Sequence, residues 1–250
     1  MATGPVRGAE LIDPTGRVIL ISGAGRGIGE AIARRLYDEG YTLSLGVRRP
    51  ADAGKRFAGF DTGRLQVERF DAQTPSTAAA WVDAALARFG RIDGLINNAG
   101  ILRMLSLEDG EEAILDEMWA VNVKAPFRLI RHALPHLKRA GNGRIVNVAS
   151  TDGKRYRDRS VSLAYAMTKH AVMALSHAAK FATWEDGVRV TALCPGAVET
   201  ELLAGIPGVT PGPGRLSPAT LAEIVALLLR LPNTATISEL VVNTRLEHSL

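Results

Sequence analysis

The sequence has a single cysteine, Cys194, and lacks a long apolar segment. One cysteine excludes an internal disulfide and a cysteine-based zinc cluster, which fits a reducing compartment. No stretch reaches the roughly 18 to 20 uninterrupted apolar residues that cross a bilayer. Residues 1–16 mix Gly, Pro and charge without the apolar core of a signal peptide, so we interpret them as a flexible lead-in. We therefore expect a cytoplasmic protein with no membrane partner.

A long basic run is also missing, although 30 Lys and Arg residues exceed 26 Asp and Glu residues. The basic residues are scattered and form no stripe that would follow a phosphate backbone. We therefore expect no nucleic-acid partner. The modest positive charge suits a small anionic ligand equally well.

A metal site is not expected either. His132 and His136 lie one helical turn apart, but no third ligand follows at a suitable spacing, and Pro135 should disturb a helix between them. Cys194 precedes Pro195 at a predicted strand end, and no histidine lies nearby in sequence. We interpret its thiol as buried rather than nucleophilic.

The pattern of apolar residues predicts an α/β fold. Short β-branched runs alternate with segments of helical spacing, which indicates a doubly wound parallel sheet of about seven strands with helices on both faces. The predicted strands are 18–21, 42–47, 65–70, 94–96, 144–148, 188–193 and 240–242. The predicted helices are 28–39, 77–89, 123–138, 164–183 and 218–231. With no repeat or linker, residues 1–250 are interpreted as one domain.

A glycine-rich turn joins the first predicted strand to the first predicted helix. Its residues are Gly23, Gly25, Arg26, Gly27, Ile28 and Gly29. A dinucleotide site needs residues that tolerate positive φ and let a pyrophosphate approach the backbone at a helix N-terminus. The turn could instead merely connect two elements, but the order of strand, glycines and helix favours a nucleotide site.

Basic residues end the second predicted strand, where NAD-binding proteins of this class carry an acid about twenty positions beyond the glycines. Arg48 and Arg49 stand there instead, and Arg26 could reach the same group from the turn. A guanidinium pairs with a phosphate through two parallel hydrogen bonds, so NADP(H) is favoured and NAD(H) remains possible. In the alternatives, the two arginines are plain loop residues, or a displaced loop lets Asp52 restore NAD binding.

Tyr165 and Lys169 lie one turn apart on a predicted helix and can share one ligand. A tyrosine with a pKa of about 10 is seldom ionised at neutral pH. A lysine ammonium about 4 Å away would stabilise the anion by on the order of 4 kcal/mol at a dielectric of 20. Ser150 or Thr151, at the end of a predicted strand, could orient a substrate oxygen toward the phenol. These groups suit proton transfer to a carbonyl that receives hydride.

From Arg17 to Thr200 the sequence resembles the short-chain dehydrogenase/reductase family. The glycine spacing over Gly23, Gly27 and Gly29 is followed in order by Asn97-Asn98-Ala99-Gly100 and by the Tyr165 and Lys169 pair. The resemblance implies a Rossmann-type fold and a nicotinamide-dependent oxidoreductase that acts on a small carbonyl or alcohol. It also implies a homodimer or homotetramer.

The resemblance assigns four catalytic roles. Ser150 orients the substrate, Tyr165 is the acid/base, Lys169 lowers the tyrosine pKa, and Asn122 supports a water that links the lysine to solvent. Besides the glycine turn, Arg48, Arg49 and the Tyr165 and Lys169 pair, the implied cofactor contacts are Asp71, Ala72, Asn98, Ala99, Gly100, Pro195, Gly196, Val198 and Thr200.

The sequence departs from the family in three places. Ser150 lies farther from Tyr165 than is usual, so the arginine-rich segment 154–160 is interpreted as an enlarged loop, and a shifted register would let Thr151 replace Ser150. Tyr156 is a weaker candidate acid because no lysine follows it by one turn. Residues 200–217, rich in Gly and Pro, are interpreted as a substrate lid, and the chain end lacks the usual Gly-rich segment.

Two rival functions use the same turn. A cofactor-sensing protein would keep the dinucleotide site without turnover, but the presence of all four catalytic residues argues against it. An epimerase or dehydratase for a nucleotide sugar usually has a larger C-terminal substrate domain, and the residues after Thr200 are too few for one. The sequence does not identify the substrate or the reaction direction.

Overall fold

The computed structural model describes residues 10–203 and 214–244. The expected flexible lead-in over 1–16 falls largely on residues 1–9, and the expected lid over 200–217 falls largely on residues 204–213. Those two expectations therefore lie mostly outside the described residues, as does the chain end from residue 245.

The described residues form one seven-stranded sheet in which neighbouring strands are all parallel. The strands are β1 (Val18–Ser22), β2 (Thr42–Val47), β3 (Leu65–Arg69), β4 (Gly94–Asn97), β5 (Arg144–Val148), β6 (Arg189–Pro195) and β7 (Glu239–Val242). Their order is β3-β2-β1-β4-β5-β6-β7. The predicted doubly wound parallel sheet is confirmed.

Seven α-helices connect the strands within the described ranges. They are α1 (Gly27–Asp38), α2 (Pro50–Arg56), α3 (Ser76–Phe89), α4 (Glu112–Trp119), α5 (Ala125–Arg139), α6 (Leu163–Thr183) and α7 (Pro218–Arg230). A π-helical turn, Ala120–Lys124, joins α4 to α5, and short 3-10 turns cover Thr151–Gly153 and Glu201–Leu203. No helix in this part of the chain has the length and apolarity needed to span a membrane.

Two helices were not predicted from the sequence, and a third contains a proline that was expected to disturb it. The prediction missed α2 and α4. The expectation that Pro135 disturbs its helix is wrong, because α5 continues through Pro135 to Arg139. The predicted start of α7 is confirmed, since the Ser217 hydroxyl accepts a hydrogen bond from the Thr220 amide at 3.1 Å and Pro218 follows as the first helical residue.

Alternation along the buried strands divides the core into two layers. Ile19 and Ile21 of β1 pack with residues of α1 and α7 on one face of the sheet. Val18 and Leu20 pack with residues of α3 and α5 on the other face. Helices therefore cover both faces of the sheet, so we expect a ligand to bind at the ends of the strands.

The chain reverses its direction across the sheet between β1 and β4. From β1 it proceeds to β2 and β3 on one side, and then crosses to β4 on the other side of β1. Such a reversal leaves a crevice beyond the carboxyl ends of the two central strands, which is where open α/β sheets bind ligands. The glycine turn follows β1 at this crevice.

Candidate active site

The glycine turn has the conformation that the sequence predicts. Gly23 has a φ of 70° and Gly27 a φ of 56°, in the left-handed region that favours glycine. At Gly29 a Cβ atom would lie 2.5 Å from the Asn98 side-chain nitrogen and would overlap the Gly23 carbonyl oxygen. Glycine is thus required where the turn closes on the N-terminus of α1.

The end of β4 is bonded directly to this turn. The Ser22 hydroxyl accepts hydrogen bonds from the amides of Asn98 at 3.0 Å and Ala99 at 3.1 Å. The Asn98 side chain donates to the carbonyl oxygens of Ser22 at 3.0 Å and Gly23 at 3.2 Å. The Asn-Asn-Ala-Gly segment and the glycine turn therefore form one rigid unit at the crevice.

The segment after β6 closes the crevice from the other side. A Cβ on Gly27 would lie 3.3 Å from the Thr200 methyl carbon. The Gly196 amide donates to the Val242 carbonyl at 2.8 Å, and Val198 forms an isolated bridge with Leu216. Pro195, the last residue of β6, starts this segment. The four residues predicted beside the nicotinamide thus follow one another along the wall opposite the turn.

The residues predicted at the adenine follow β3. Asp71 accepts the Gln73 amide on its carboxylate at 3.1 Å, and its own amide donates to the Thr77 hydroxyl at 3.1 Å. Ala72 is nearly buried. Because β3 adjoins β2, this turn lies at the same carboxyl edge of the sheet as the end of β2.

The arginines predicted at the cofactor phosphate differ in their partners. Arg26 pairs with Glu201 at 2.9 Å, and Arg49 pairs with Asp52 at 3.1 Å. Asp52, the partner of Arg49, lies in the first turn of α2. Arg48 follows β2 directly and is exposed. It makes no ion pair with any residue that the structure describes, so its guanidinium is available to an anion.

Tyr165 and Ser150 come together at the carboxyl edge of β5. The Ser150 side chain lies near enough to the Tyr165 phenol to lower its pKa. Ser162 caps α6 by accepting the Tyr165 amide at 3.3 Å, which fixes the tyrosine in the first turn of the helix. Of the two candidates Ser150 and Thr151, Ser150 is the one that acts on the Tyr165 phenol.

Lys169 lies one turn further along α6, as predicted. Its ammonium nitrogen donates to the Val148 carbonyl at 2.8 Å and lies 5.4 Å from the centre of the Tyr165 ring. The side chain is almost fully buried, and this burial lowers the pKa of Lys169 to about 8. The amine can therefore exchange a proton near neutral pH.

The Tyr165 phenol is shielded by apolar side chains. Met118 of α4 packs against it, with Ile101 and Leu102 beside them. Burial raises the pKa of Tyr165 above its ordinary value, the Asp152 carboxylate raises it further, and Ser150 lowers it by less. The sequence argument expects Lys169 to lower this pKa. The pKa is instead raised, because burial is the largest effect on the phenol.

Asn122 lies on the π-helical turn and is buried. Its side chain bonds both backbone groups of Ile101, each at 2.9 Å, and donates to the Thr168 hydroxyl at 3.1 Å. Thr168 in turn donates to the Tyr165 carbonyl at 2.8 Å. Asn122 thus joins the segment after β4 to α6, and it reaches the neighbour of Lys169 rather than Lys169 itself.

Sequence reasoning missed two side chains beside the catalytic pair. Met118 was missed because its helix was not predicted. Asp152 follows Ser150 by two residues, and its carboxylate acts on both Tyr165 and Lys169. Asp152 stands among small residues and belongs to no motif, so the sequence does not indicate that it lies near Tyr165 and Lys169. Only the fold brings it to the site.

The remaining candidates lie elsewhere or are inert. Tyr156 lines a separate cavity of about 320 Å³ with Trp119, Met167 and His170. Cys194 is buried, and burial raises the pKa of its thiol to about 11. No group of metal-ligating side chains occurs among the residues that the structure describes.

The fold and site together define a doubly wound α/β protein of the Rossmann type, with a serine, a tyrosine and a lysine at the edge of the sheet that also carries the glycine turn. A family model described as short chain dehydrogenase matches residues 17–207. The chain therefore belongs to the short-chain dehydrogenase family.

Relatives and solved structures agree with this assignment. The chain is 42% identical over 219 residues to an agropine synthesis reductase of Rhizobium rhizogenes, covering 87% of this chain and 50% of that protein. The chain thus spans about half the length of that relative. An alcohol dehydrogenase from the archaeon Thermococcus sibiricus, complexed with 5-hydroxy-NADP, has a TM-score of 0.82 at 32% identity and covers 93% of this chain and 99% of its own.

A second solved structure has the same similarity. A 3-ketoacyl-(acyl-carrier-protein) reductase from Brucella melitensis, complexed with NADH, has a TM-score of 0.82 at 33% identity. The match covers 92% of this chain and 98% of that one. The two structural relatives therefore carry different nicotinamide cofactors.

Proposed function

We propose that this protein is an NADP(H)-dependent oxidoreductase that interconverts a small carbonyl compound and a secondary alcohol. The observation that supports this most directly is the grouping of three side chains: the Lys169 ammonium nitrogen lies 5.4 Å from the centre of the Tyr165 ring, and Ser150 acts on the same phenol. The group lies at the carboxyl edge of the sheet, as does the glycine turn. The relatives named above, a dehydrogenase and reductases, act in this class of chemistry by their names.

The residues present fit a bound dinucleotide. At Gly25 a Cβ atom would meet nothing nearer than a Val47 methyl carbon at 3.7 Å, so the turn leaves room for a pyrophosphate to approach the backbone before the N-terminus of α1. When bound, the nicotinamide supplies or accepts the hydride. Everything else in the reaction falls to the side chains of this chain.

Ser150 and Tyr165 have different roles at the substrate oxygen. In reduction, the serine hydroxyl donates to the carbonyl oxygen and orients it, and the phenol of Tyr165 delivers the proton that completes the alcohol. In oxidation the phenolate removes that proton. The high pKa of Tyr165 keeps the phenol protonated until the substrate oxygen becomes basic, which suits reduction.

Lys169 replaces the proton that Tyr165 loses. Its pKa of about 8 leaves it mostly protonated at neutral pH, yet ready to release a proton. Once the phenol has ionised, the ammonium beside it stabilises the anion. Asn122, bonded to Ile101 and Thr168, holds the backbone around this pair, and we propose that it supports the water that resupplies Lys169.

The preference for NADP(H) rests on Arg48. It is exposed at the end of β2, where an acid would favour NAD(H). Asp52, the alternative acid, is paired with Arg49. We therefore propose Arg48 as the main partner of a ribose 2′-phosphate, and Arg26 and Arg49, which are paired with Glu201 and Asp52, as additional partners.

We further propose a cytoplasmic homo-oligomer with a small-molecule substrate as its partner. Phe181 on α6 is 79% exposed and Phe127 on α5 is 45% exposed. Large apolar side chains at the surface support association of identical subunits.

The variant Tyr165→Phe tests the proposed mechanism. It removes only the phenolic hydroxyl, so we expect turnover with a panel of ketones and aldehydes to fall by roughly 10²-fold to 10⁴-fold. NADPH affinity, measured by fluorescence titration, should change less than about twofold because the ring stays in place. Wild-type binding of NADPH without any turnover would favour a cofactor-sensing protein, and equal turnover in both proteins would contradict the role of Tyr165.

A further inference from the structure

An ion pair stands at the edge of the candidate active site. The Arg157 guanidinium donates from Nε to one Asp152 carboxylate oxygen at 3.1 Å, and its Nη2 lies 3.1 Å from the same oxygen. The Asp152 side chain is the more shielded partner, with 15% of it exposed against 33% of the Arg157 side chain. A hydrogen bond between charged groups and the partial burial of the acid favour this pair over a fully exposed one.

The acid of this pair is built into the catalytic turn. The Asp152 amide donates to the Ser150 hydroxyl at 3.1 Å, and Ser150 is the residue that acts on the Tyr165 phenol. Gly153, the residue after Asp152, lies so close to α6 that a Cβ atom there would be 2.8 Å from the Lys169 carbonyl oxygen. The turn is therefore held between the serine and the lysine, and its carboxylate cannot move far from either.

Charged and titratable groups act on the catalytic pair from the turn after β5 and from β6. From the turn, the Asp152 carboxylate raises the pKa of both Tyr165 and Lys169. From β6, Cys194 also raises the pKa of Lys169. Lys154 and Glu239 both act on the Cys194 thiol. They are paired with each other, so their charges have opposite effects on its pKa.

We propose that Asp152 and Arg157 are a positioning pair that holds Ser150 against Tyr165 and sets the electrostatic potential around the proton-transfer residues. This inference rests on the proposed function and adds the regulation of its proton transfer. Asp152 contributes negative charge next to the site, and Arg157 offsets it from the loop 154–160. The arginine-rich loop thus adjusts the pH at which Tyr165 and Lys169 release their protons.

Two nearly isosteric variants should act in opposite directions. Asp152→Asn removes the negative charge, so the rising limb of kcat/KM against pH in alcohol oxidation should move to lower pH. Arg157→Gln leaves the carboxylate uncompensated, so the limb should move to higher pH. We expect a shift of about half a pH unit in each case, and the double variant should return toward the wild type. Shifts in the same direction would overturn the proposal.

The same loop offers a matched control. Arg159→Gln removes one positive charge, as Arg157→Gln does, but at an exposed position. Its pH profile should coincide with that of the wild type. If the effect of the loop followed its net charge alone, Arg159→Gln would move the profile as well.

A measurement that needs no turnover separates the two proposals. The pKa of Lys169 can be followed by NMR with ¹³Cε-labelled lysine, assigned by the loss of its signal in Lys169→Arg. It should fall in Asp152→Asn and rise in Arg157→Gln. Titrations that coincide with the wild type would refute the positioning pair and leave the oxidoreductase proposal intact. Shifted titrations in a protein without turnover would refute the oxidoreductase proposal alone.

Discussion

At the scale of single residues, burial decides the ionisation of the catalytic pair. The spacing of Tyr165 and Lys169 along a helix is readable in the sequence, and the attraction between ammonium and phenolate follows from it. The structure adds the burial of both groups, with Met118 and its neighbours packed around Tyr165. This burial favours the uncharged forms, so it raises the pKa of Tyr165 and lowers the pKa of Lys169. Enclosure is a property of tertiary packing, so the sequence argument could not weigh it.

Because Lys169 is buried, its charge should cost stability at neutral pH. Its pKa is lowered in the folded protein, so the unfolded chain binds more protons between about pH 8 and the ordinary lysine value. The free energy of unfolding is therefore not reduced by Lys169 above its ordinary pKa. It decreases as the pH falls and the lysine becomes charged, and the loss is complete below about pH 8. Lys169→Met should raise the free energy of unfolding at pH 7 by roughly 1 to 2 kcal/mol while abolishing turnover.

The gain should shrink as the pH approaches 9.5, because the wild-type lysine then loses its charge. Urea unfolding at both pH values measures the difference, and Lys55→Met, at an exposed position, serves as the control. An unchanged gain at high pH, or a loss of stability at pH 7, would mean that the hydrogen bond to Val148 outweighs the burial of charge.

The site residues that carry a motif were found from the sequence, and those without one were not. Asn122, Ser150, Tyr165 and Lys169 were all named by spacing and resemblance, and the structure brings them to one edge of the sheet. Their chemical roles remain predictions. Asp152 was not named, since its importance depends on a turn whose position only the folded α6 determines.

At the scale of elements, long periodic segments were predictable and short helices were not. All seven predicted strands and five predicted helices exist, with ends that shift by one or two residues. Helix α2 has seven residues and α4 has eight, too short for a clear period. Their stability comes from packing, as for Met118, which is fully buried in α4.

The contact between β2 and α3 depends on one glycine. A Cβ on Gly46 would lie 2.6 Å from the Trp81 ring, which is buried and donates its indole N–H to the Ser44 hydroxyl at 2.9 Å. We therefore expect Gly46→Ala to lower the free energy of unfolding by about 1 to 3 kcal/mol, because the ring must shift and its hydrogen bond must stretch.

Chemical denaturation monitored by tryptophan fluorescence tests this directly. Gly59→Ala is the matched control, since a Cβ there would meet nothing within 4 Å. Equal effects of the two substitutions would show that backbone entropy rather than the Trp81 contact controls the result.

At the scale of the whole molecule, the two edges of the sheet have different tasks. The amino edge holds buried charges such as Arg17 and Asp93, which bond neighbouring backbone groups and tie the strands together. The carboxyl edge holds the glycine turn and the catalytic pair. The alternation of strands and helices was enough to predict the parallel sheet, whereas the pairing of distant residues across it required the fold.

Cofactor binding should stabilise the whole molecule, and NADPH should do so more than NADH. A ligand that binds only the folded state raises the thermal midpoint according to its affinity. We expect Arg48→Gln to weaken NADPH binding by roughly tenfold or more, because one charged partner of the 2′-phosphate is lost. NADH binding should change less than about twofold, since that cofactor lacks the phosphate.

Thermal unfolding with each cofactor, checked by calorimetric titration, measures both effects. Arg131→Gln, an exposed arginine of α5 on the opposite side of the core, is the control. Equal losses for both cofactors in Arg48→Gln would argue against a 2′-phosphate site at this position.

The π-helical turn between α4 and α5 makes the number of residues there critical. It holds one more residue than an α-helical turn, and each residue rotates a helix by about 100°. Removing one residue would let α4 and α5 merge into a regular helix, and Asn122 and Met118 could then no longer both face α6. Homologues and engineered variants should therefore accept changes of length in the loop 154–160 far more readily than in the segment 120–124.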